Sequence, residues 1–170
     1  MAAGDVLLKY GTSTDLAVTA LVDLAESNTW IAGWSSDPID NTTTGYHDFL
    51  ISGTLTILHE GTPVVGELRV YVVAMISDDT WPAGITATDA ADAFALANQR
   101  DSVAKLGAVI VNTATVHITY PFGPFSVASL FGGACPPKFC IFITHNTDTT
   151  LDHDGQIVTY QGVYYNVAAS

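Results

Sequence analysis

Apolar and polar residues alternate with a period of two through most of this chain, the spacing of strands that bury one face. Leu16, Val18, Ala20 and Val22 alternate with Ala17, Thr19, Leu21 and Asp23. Trp30, Ala32 and Trp34 share one face of a short strand. Phe49, Ile51, Gly53, Leu55 and Ile57 alternate with Leu50, Ser52, Thr54 and Thr56. Leu68, Val70, Val72, Ala74 and Ile76 form a run that is apolar on both faces in part, which places it centrally in its sheet. Further strands are expected at 108–112, 116–120 and 126–130, around Phe139, Ile141 and Ile143, and over 157–167.

Turn chemistry separates these runs: Ser36-Asp37-Pro38, Glu60-Gly61-Thr62-Pro63, Trp81-Pro82-Ala83-Gly84, Gly132-Gly133 and Asp154-Gly155. About nine short strands spaced in this way predict an all-β fold, an antiparallel β-sandwich of jelly-roll type. One stretch breaks the pattern. In Thr86–Ala104 the residues Ala90, Ala93, Phe94 and Ala97 have helical spacing, with Thr88 placed as an N-cap and Asp89 and Asp92 near the positive helix end. A short helix on a long connection and an irregular loop both stand open for it. Neither an internal repeat nor a linker breaks the chain, so residues 1–170 read as one domain.

Composition narrows the function. Hydrophobic residues make up 48% of the chain and charged residues 13%, so the polar surface is built from Thr, Ser, Asn and Gly. Seventeen acids face five bases, for a net charge of −12. The bases Lys9, Arg69, Arg100, Lys105 and Lys138 are scattered, which argues against nucleic acid and against an anionic membrane as partners. Met1–Asp5 lacks a cationic start and Val6-Leu7-Leu8 is too short for a signal core, so synthesis in the cytoplasm is expected.

The candidate chemistry is sparse. Cys135 and Cys140 bracket Pro136-Pro137-Lys138-Phe139, and reduced thiols, a local disulfide and half a metal site are all compatible with that spacing. His145-Asn146-Thr147-Asp148 and Asp152-His153-Asp154-Gly155 hold a fragment of a calcium loop without its closing Glu, and Asp-Gly is equally the turn of a polar hairpin. The histidines His47, His59, His117, His145 and His153 accompany no Gly-x-Ser-x-Gly elbow and no phosphate-cradling glycine loop. Paired carboxylates are limited by having only Glu26, Glu60 and Glu67 besides the aspartates. A non-enzymatic protein without metal or cofactor is expected. Trp30, Trp34 and Trp81 are core or interface residues on one reading and a sugar-stacking platform on the other.

Three stretches, taken together and in order, carry a resemblance. They are Ala32-Gly33-Trp34-Ser35-Ser36 with Ile39-Asp40-Asn41-Thr42-Thr43; Glu67-Leu68-Arg69-Val70-Tyr71-Val72; and Tyr120-Pro121-Phe122-Gly123-Pro124-Phe125-Ser126-Val127-Ala128 running on to Phe142-Ile143-Thr144-His145-Asn146-Thr147. The set resembles small structural proteins of tailed bacteriophages, from about Asp15 to Asn166, closing with Ile157–Tyr160 and Val163-Tyr164-Tyr165. That resemblance implies a sandwich that decorates, cements or spikes a capsid, and it implies no catalytic residue. The expectation is a decoration protein on the outside of a phage head, bound to the major capsid protein and self-assembled as a homotrimer. A tail, fibre or head-spike component with a glycan-binding role is the alternative. In the aromatic stretch Tyr120, Phe122, Pro124 and Phe125 are the expected interface residues, held stiff by its prolines, with end-plugging of the sandwich as the competing role for Phe122 and Phe125.

Overall fold

The computed structural model describes residues 6–58, 64–113 and 117–167. Ten strands are present among them: β1 (Val6–Asp15), β2 (Ala32–Ser35), β3 (Ile39–Asp40), β4 (Asp48–Ile57), β5 (Val64–Ala74), β6 (Ala90–Ala93), β7 (Ala104–Thr113), β8 (Ile118–Ser126), β9 (Lys138–His145) and β10 (Ile157–Val167). They form two antiparallel sheets. The first has the order β1-β10-β4-β8, and the second the order β6-β2-β9-β5-β7 with β3 also paired to β9. The chain is therefore an all-β sandwich, as the alternation predicts.

The connectivity follows from one ribbon. Leaving aside the short β3 and β6, strand pairs β1·β10, β2·β9, β4·β8 and β5·β7 are nested, each inside the last. Folding that long antiparallel ribbon over itself adds the contacts β10·β4 in the first sheet and β9·β5 in the second. This is jelly-roll connectivity.

The two sheets share one core. Phe49, Ile51, Leu55, Ile57 and Val158 from the first sheet meet Leu68, Val70, Val72, Phe139, Ile141 and Ile143 from the second. These positions are the even or odd members of their strands, which is what a period of two buries. Phe49 and Phe139 meet edge to face, with ring centroids 5.3 Å apart. β5 lies between β9 and β7, the central place expected for a strand apolar on both faces. Its outward residues Tyr71 and Val73 join a second, smaller cluster with Ile85, Ala87, Phe94, Cys140 and Phe142.

Three local expectations need correction. Residues 16–22 are not a strand: Leu21 and Leu24 are buried and Leu16 and Val18 pack on the core, but the backbone turns, with Leu21 N–H donating to Val18 O at 3.1 Å. The apolar residues plug one end of the sandwich instead of lining a sheet. Residues 118–126 are one strand, and residues 128–131 are a 3-10 turn. Pro121 and Pro124 are tolerated in β8 because it is an edge strand, where a missing N–H interrupts no ladder on its outer side. Finally, Ala90–Ala93 is strand β6, and the helix α1 spans only Ala97–Asp101. Asp92 decides this: it is buried and accepts from Ser35 Oγ at 2.5 Å and Thr86 N–H at 2.7 Å, fixing the segment beside β2. Thr88 is therefore no N-cap, and α1 follows Leu96, whose N–H donates to Gln99 Oε1 at 3.2 Å. The turn signal at 60–63 lies outside the described residues.

Candidate functional surface

The outer faces of the two sheets differ in kind. On the second sheet, the connection from Ser77 to Val103 folds back and covers the half nearest Tyr71 and Phe142. The remaining half carries charge: Glu67 accepts from Arg69 Nη2 at 2.9 Å and from Lys105 Nζ at 3.1 Å. Arg69 also lies 3.7 Å from the centroid of the Trp30 ring. These contacts outweigh burial, which works against ionisation of Glu67, and the carboxyl is held below its ordinary range.

The outer face of the first sheet is largely bare. Among the described residues the loop with Gly155 and Gln156 packs onto it at Thr56, and most of its other outward side chains are exposed or half-buried. Its strands are also nearly free of charge. The only charged residues in β1, β10, β4 and β8 are Lys9, Asp15 and Asp48. Asp48 is tied down by Ser126 Oγ and by the N–H of Ala128, both at 2.7 Å. At one end of this face Val6, Leu8, Tyr10 and Tyr165 are exposed, with Leu8 and Tyr165 directly opposed across β1 and β10. The His47 ring lies 5.3 Å from that of Tyr165.

The middle of the face is hydroxyl-rich, and its hydroxyls bond to one another. Ser52 Oγ and Thr159 Oγ1 are 3.0 Å apart, and Thr56 Oγ1 and Thr119 Oγ1 are 2.8 Å apart. Gln161 Nε2 donates to Gly11 O at 2.8 Å. A polar group already paired inside the protein loses little when water is removed from over it.

The aromatic stretch is split by the strand period. Phe122 is buried beneath β4, close enough to Gly53 that a methyl group there would lie 2.8 Å from its ring. Phe125 is half-buried against Gly107, and the two phenylalanine rings stack at 6.4 Å. Tyr120 is half-buried against the core, and Pro124 is exposed. The tryptophans do not converge. Trp34 is fully buried in the main core, with Nε1–H donating to Asp89 Oδ1 at 2.7 Å. Trp81 packs on the smaller cluster, and Trp30 sits in the turn before β2 with φ 62° under Arg69.

The titratable groups serve mainly to tie loops. His145 is buried; its Nε2 lies 2.9 Å from Leu24 O and its Nδ1 2.9 Å from Thr147 Oγ1, and burial pushes its pKa down. His117 pairs with Asp152, and that contact holds the Asp152 carboxyl below the ordinary range. The described hydrogen bonds of His117 reach no serine or cysteine. His153 pairs with Asp23 at 3.1 Å, and Gly155 takes φ 82° in the connection from β9 to β10, which crosses between the sheets and is not the hairpin that Asp154-Gly155 suggests. No group of three His, Cys, Asp or Glu side chains among the described residues is arranged to hold a metal ion. Cys135 and Cys140 are both free thiols. Burial, with Asp48 nearby, pushes the Cys135 thiol up to about 12, and burial likewise raises that of Cys140. A shallow cavity of about 550 Å³ is lined by Met75, Ile76, Asp79 and Lys138 among others, and Lys138 is engaged there by Asp40 at 3.4 Å.

The bare face escaped the sequence reading because it is defined by what a folded topology fails to cover. One signal was present: no charged residue occurs between Phe49 and Leu58, between Ile118 and Pro137, or between Ile157 and Val167. No protein-family model and no curated protein sequence matches this chain.

Proposed function

We propose that this chain is a structural protein of a tailed-phage particle, one that decorates the outside of the head, contacts the major capsid protein and adds to shell stability. The observation that carries this reading is the segregation of charge. A molecule of net charge −12 keeps one whole sheet nearly uncharged and leaves most of its outer face uncovered. A depleted charge density of that kind marks the core of protein–protein contacts. The acidic remainder suits the outside of a shell, because packaged nucleic acid inside would repel it. The sandwich itself is compatible with many functions and supports the assignment only by analogy. The resemblance to phage structural proteins rests on the quoted stretches of this sequence.

The mechanism is linkage. A protein that binds only the assembled shell lowers the free energy of that state by RT ln(1 + [L]/Kd), about 2.7 kcal/mol per site at a free concentration of 100 Kd. Cryo-electron microscopy of intact particles tests the assignment: density for this chain is expected on the outer surface of the head. Density confined to the tail, or inside the shell, refutes it. Heads lacking the chain are expected to release DNA at a lower temperature than decorated heads.

A further inference from the structure

We infer that the bare face of the first sheet is a self-contact, at which two copies of this chain pair face to face about a two-fold axis. The inference rests on the same uncharged face as the proposed function and gives that face to a second copy, which leaves the edges and loops of the pair for contact with a shell.

Three observations lead to a second copy as the occupant. The first is charge. Each copy carries −12, so two copies repel wherever acidic surfaces meet. The face of β1, β10, β4 and β8 is where that repulsion is least: its outward charges are Asp15 at the β1 edge and Asp48, which is already bonded to Ser126 and Ala128. A basic partner would gain nothing from choosing a face without acids. An uncharged face on an acidic molecule is matched best by the same face on another copy, which also holds the acidic loops apart.

The second observation is that the face can be dried. Ser52 and Thr159 pair their hydroxyls with each other, Thr119 pairs with Thr56, and Thr56 is already buried under the Gly155 loop, so covering the face strands none of these donors. Around them Leu8, Tyr10, Ile157 and Tyr165 expose apolar surface at 48 to 58% of their full accessibility. The third observation is size. Four strands at a spacing of about 4.8 Å, each presenting about nine residues at roughly 3.4 Å, give a face of about 580 Å² in projection. Side-chain relief adds accessible area to that figure, which brings it near the roughly 800 Å² per partner of a specific interface, at its lower end. Sheet-on-sheet packing is the ordinary geometry for such a pair. A face that meets its own copy does so isologously about a two-fold axis, which gives a dimer in place of the three-fold arrangement expected from lattice symmetry.

The test is sedimentation of the purified chain across micromolar concentrations in 20 mM and 500 mM NaCl. A dimer is expected, and it should tighten with salt because screening removes repulsion between like-charged copies. Tyr165→Arg and Thr54→Arg each place an unpaired charge in the contact and should weaken pairing at least tenfold. Ile110→Arg, on the exposed outer face of the second sheet, should leave it unchanged. Circular dichroism and urea midpoints verify that each variant folds. Hydroxyl-radical footprinting of the unaltered chain gives an independent reading: Tyr10 and Tyr165 should be protected as concentration rises, while Trp30 stays constant. A monomer at 100 µM in high salt, a trimer, pairing that weakens with salt, or a dimer indifferent to both arginines overturns the inference. A monomer that still coats heads defeats the pair and leaves decoration standing; a dimer that ignores heads does the reverse.

Discussion

Asp89 gives the sharpest test of how this sandwich is closed. Its carboxylate accepts from Trp34 Nε1 at 2.7 Å, from Thr19 N–H at 2.8 Å and from Ala20 N–H at 3.1 Å. Burial works against its ionisation, but the Trp34, Ala20 and Thr19 bonds prevail and hold its pKa below the ordinary value. One side chain on the long β5–β6 connection thus fastens both the core tryptophan and the turn that plugs the sandwich end. Asp89→Ala removes the acceptor of all three bonds. Trp34 is fully buried, so its indole N–H is left without a partner, at about 1–3 kcal/mol. The two backbone bonds are nearer solvent and contribute about 0.5–1 kcal/mol each. The expected loss is about 3 kcal/mol, which for a chain of this size lowers the melting temperature by roughly 6–12 °C. Asp89→Asn keeps one oxygen for the indole and should cost about half as much.

Urea titration followed by tryptophan fluorescence measures these losses, and a double-mutant cycle with Trp34→Phe isolates the indole contribution. Phe has no N–H to strand, so Asp89→Ala should cost about 1–3 kcal/mol less in that background. An equal cost in both backgrounds, or a loss under about 1 kcal/mol in the wild type, would refute the clamp.

Three further outcomes follow from the geometry. Gly53→Ala places a methyl 2.1 Å from Ile157 O and 2.8 Å from the Phe122 ring, so calorimetry should show a loss of about 1–3 kcal/mol, and an unchanged melting temperature contradicts the register. His145 has its folded pKa pushed below its unfolded value of about 6.5, so the unfolded chain binds more protons and stability falls as pH drops from about 7.5 through 5. His153, raised by Asp23, contributes in the opposite sense but is exposed; chemical denaturation across that range should therefore show a net acid loss that His145→Gln removes. Cys135, half-buried, and Cys140, buried, should resist iodoacetamide at pH 8 until urea unfolds the chain, because both thiols are held above their ordinary range; rapid labelling of the native protein contradicts this.

The fold was legible where one face is buried along a whole strand. Phe49–Ile57 and Leu68–Val72 are such cases, since every second residue enters the core. The N-terminal strand was not legible: Val6, Leu8 and Tyr10 alternate, but on the outer side, so the period is present without burial behind it. Leu16–Val22 shows the converse, burial without a strand, because turn residues seal the sandwich end. Alanine spacing in Ala90–Ala97 suggested a helix, and the short polar contacts of Asp92 with Ser35 and Thr86 overrode it. As for the functional surface, the aromatic stretch was expected to present its rings together, but the strand period turned Phe122 inward. The bare face depended on which strands became neighbours, which local spacing does not specify.

The nested ribbon has a kinetic consequence. Tyr10 is opposed by Val163, with nearly the whole chain between them, whereas β5 and β7 are separated only by the segment that carries β6 and α1. Loop-closure entropy orders such contacts from the innermost rung outward. Synthesis on the ribosome therefore leaves β1 waiting, partnerless, until the last strand emerges, and leaves the edge of β4 open for the same interval. Folding on the slow, millisecond-to-second scale of non-local β topologies is the natural outcome. A ribosome that stalls before β10 releases not a frayed native protein but one with two sticky, unsatisfied strands, and chaperone demand should peak at that point of translation.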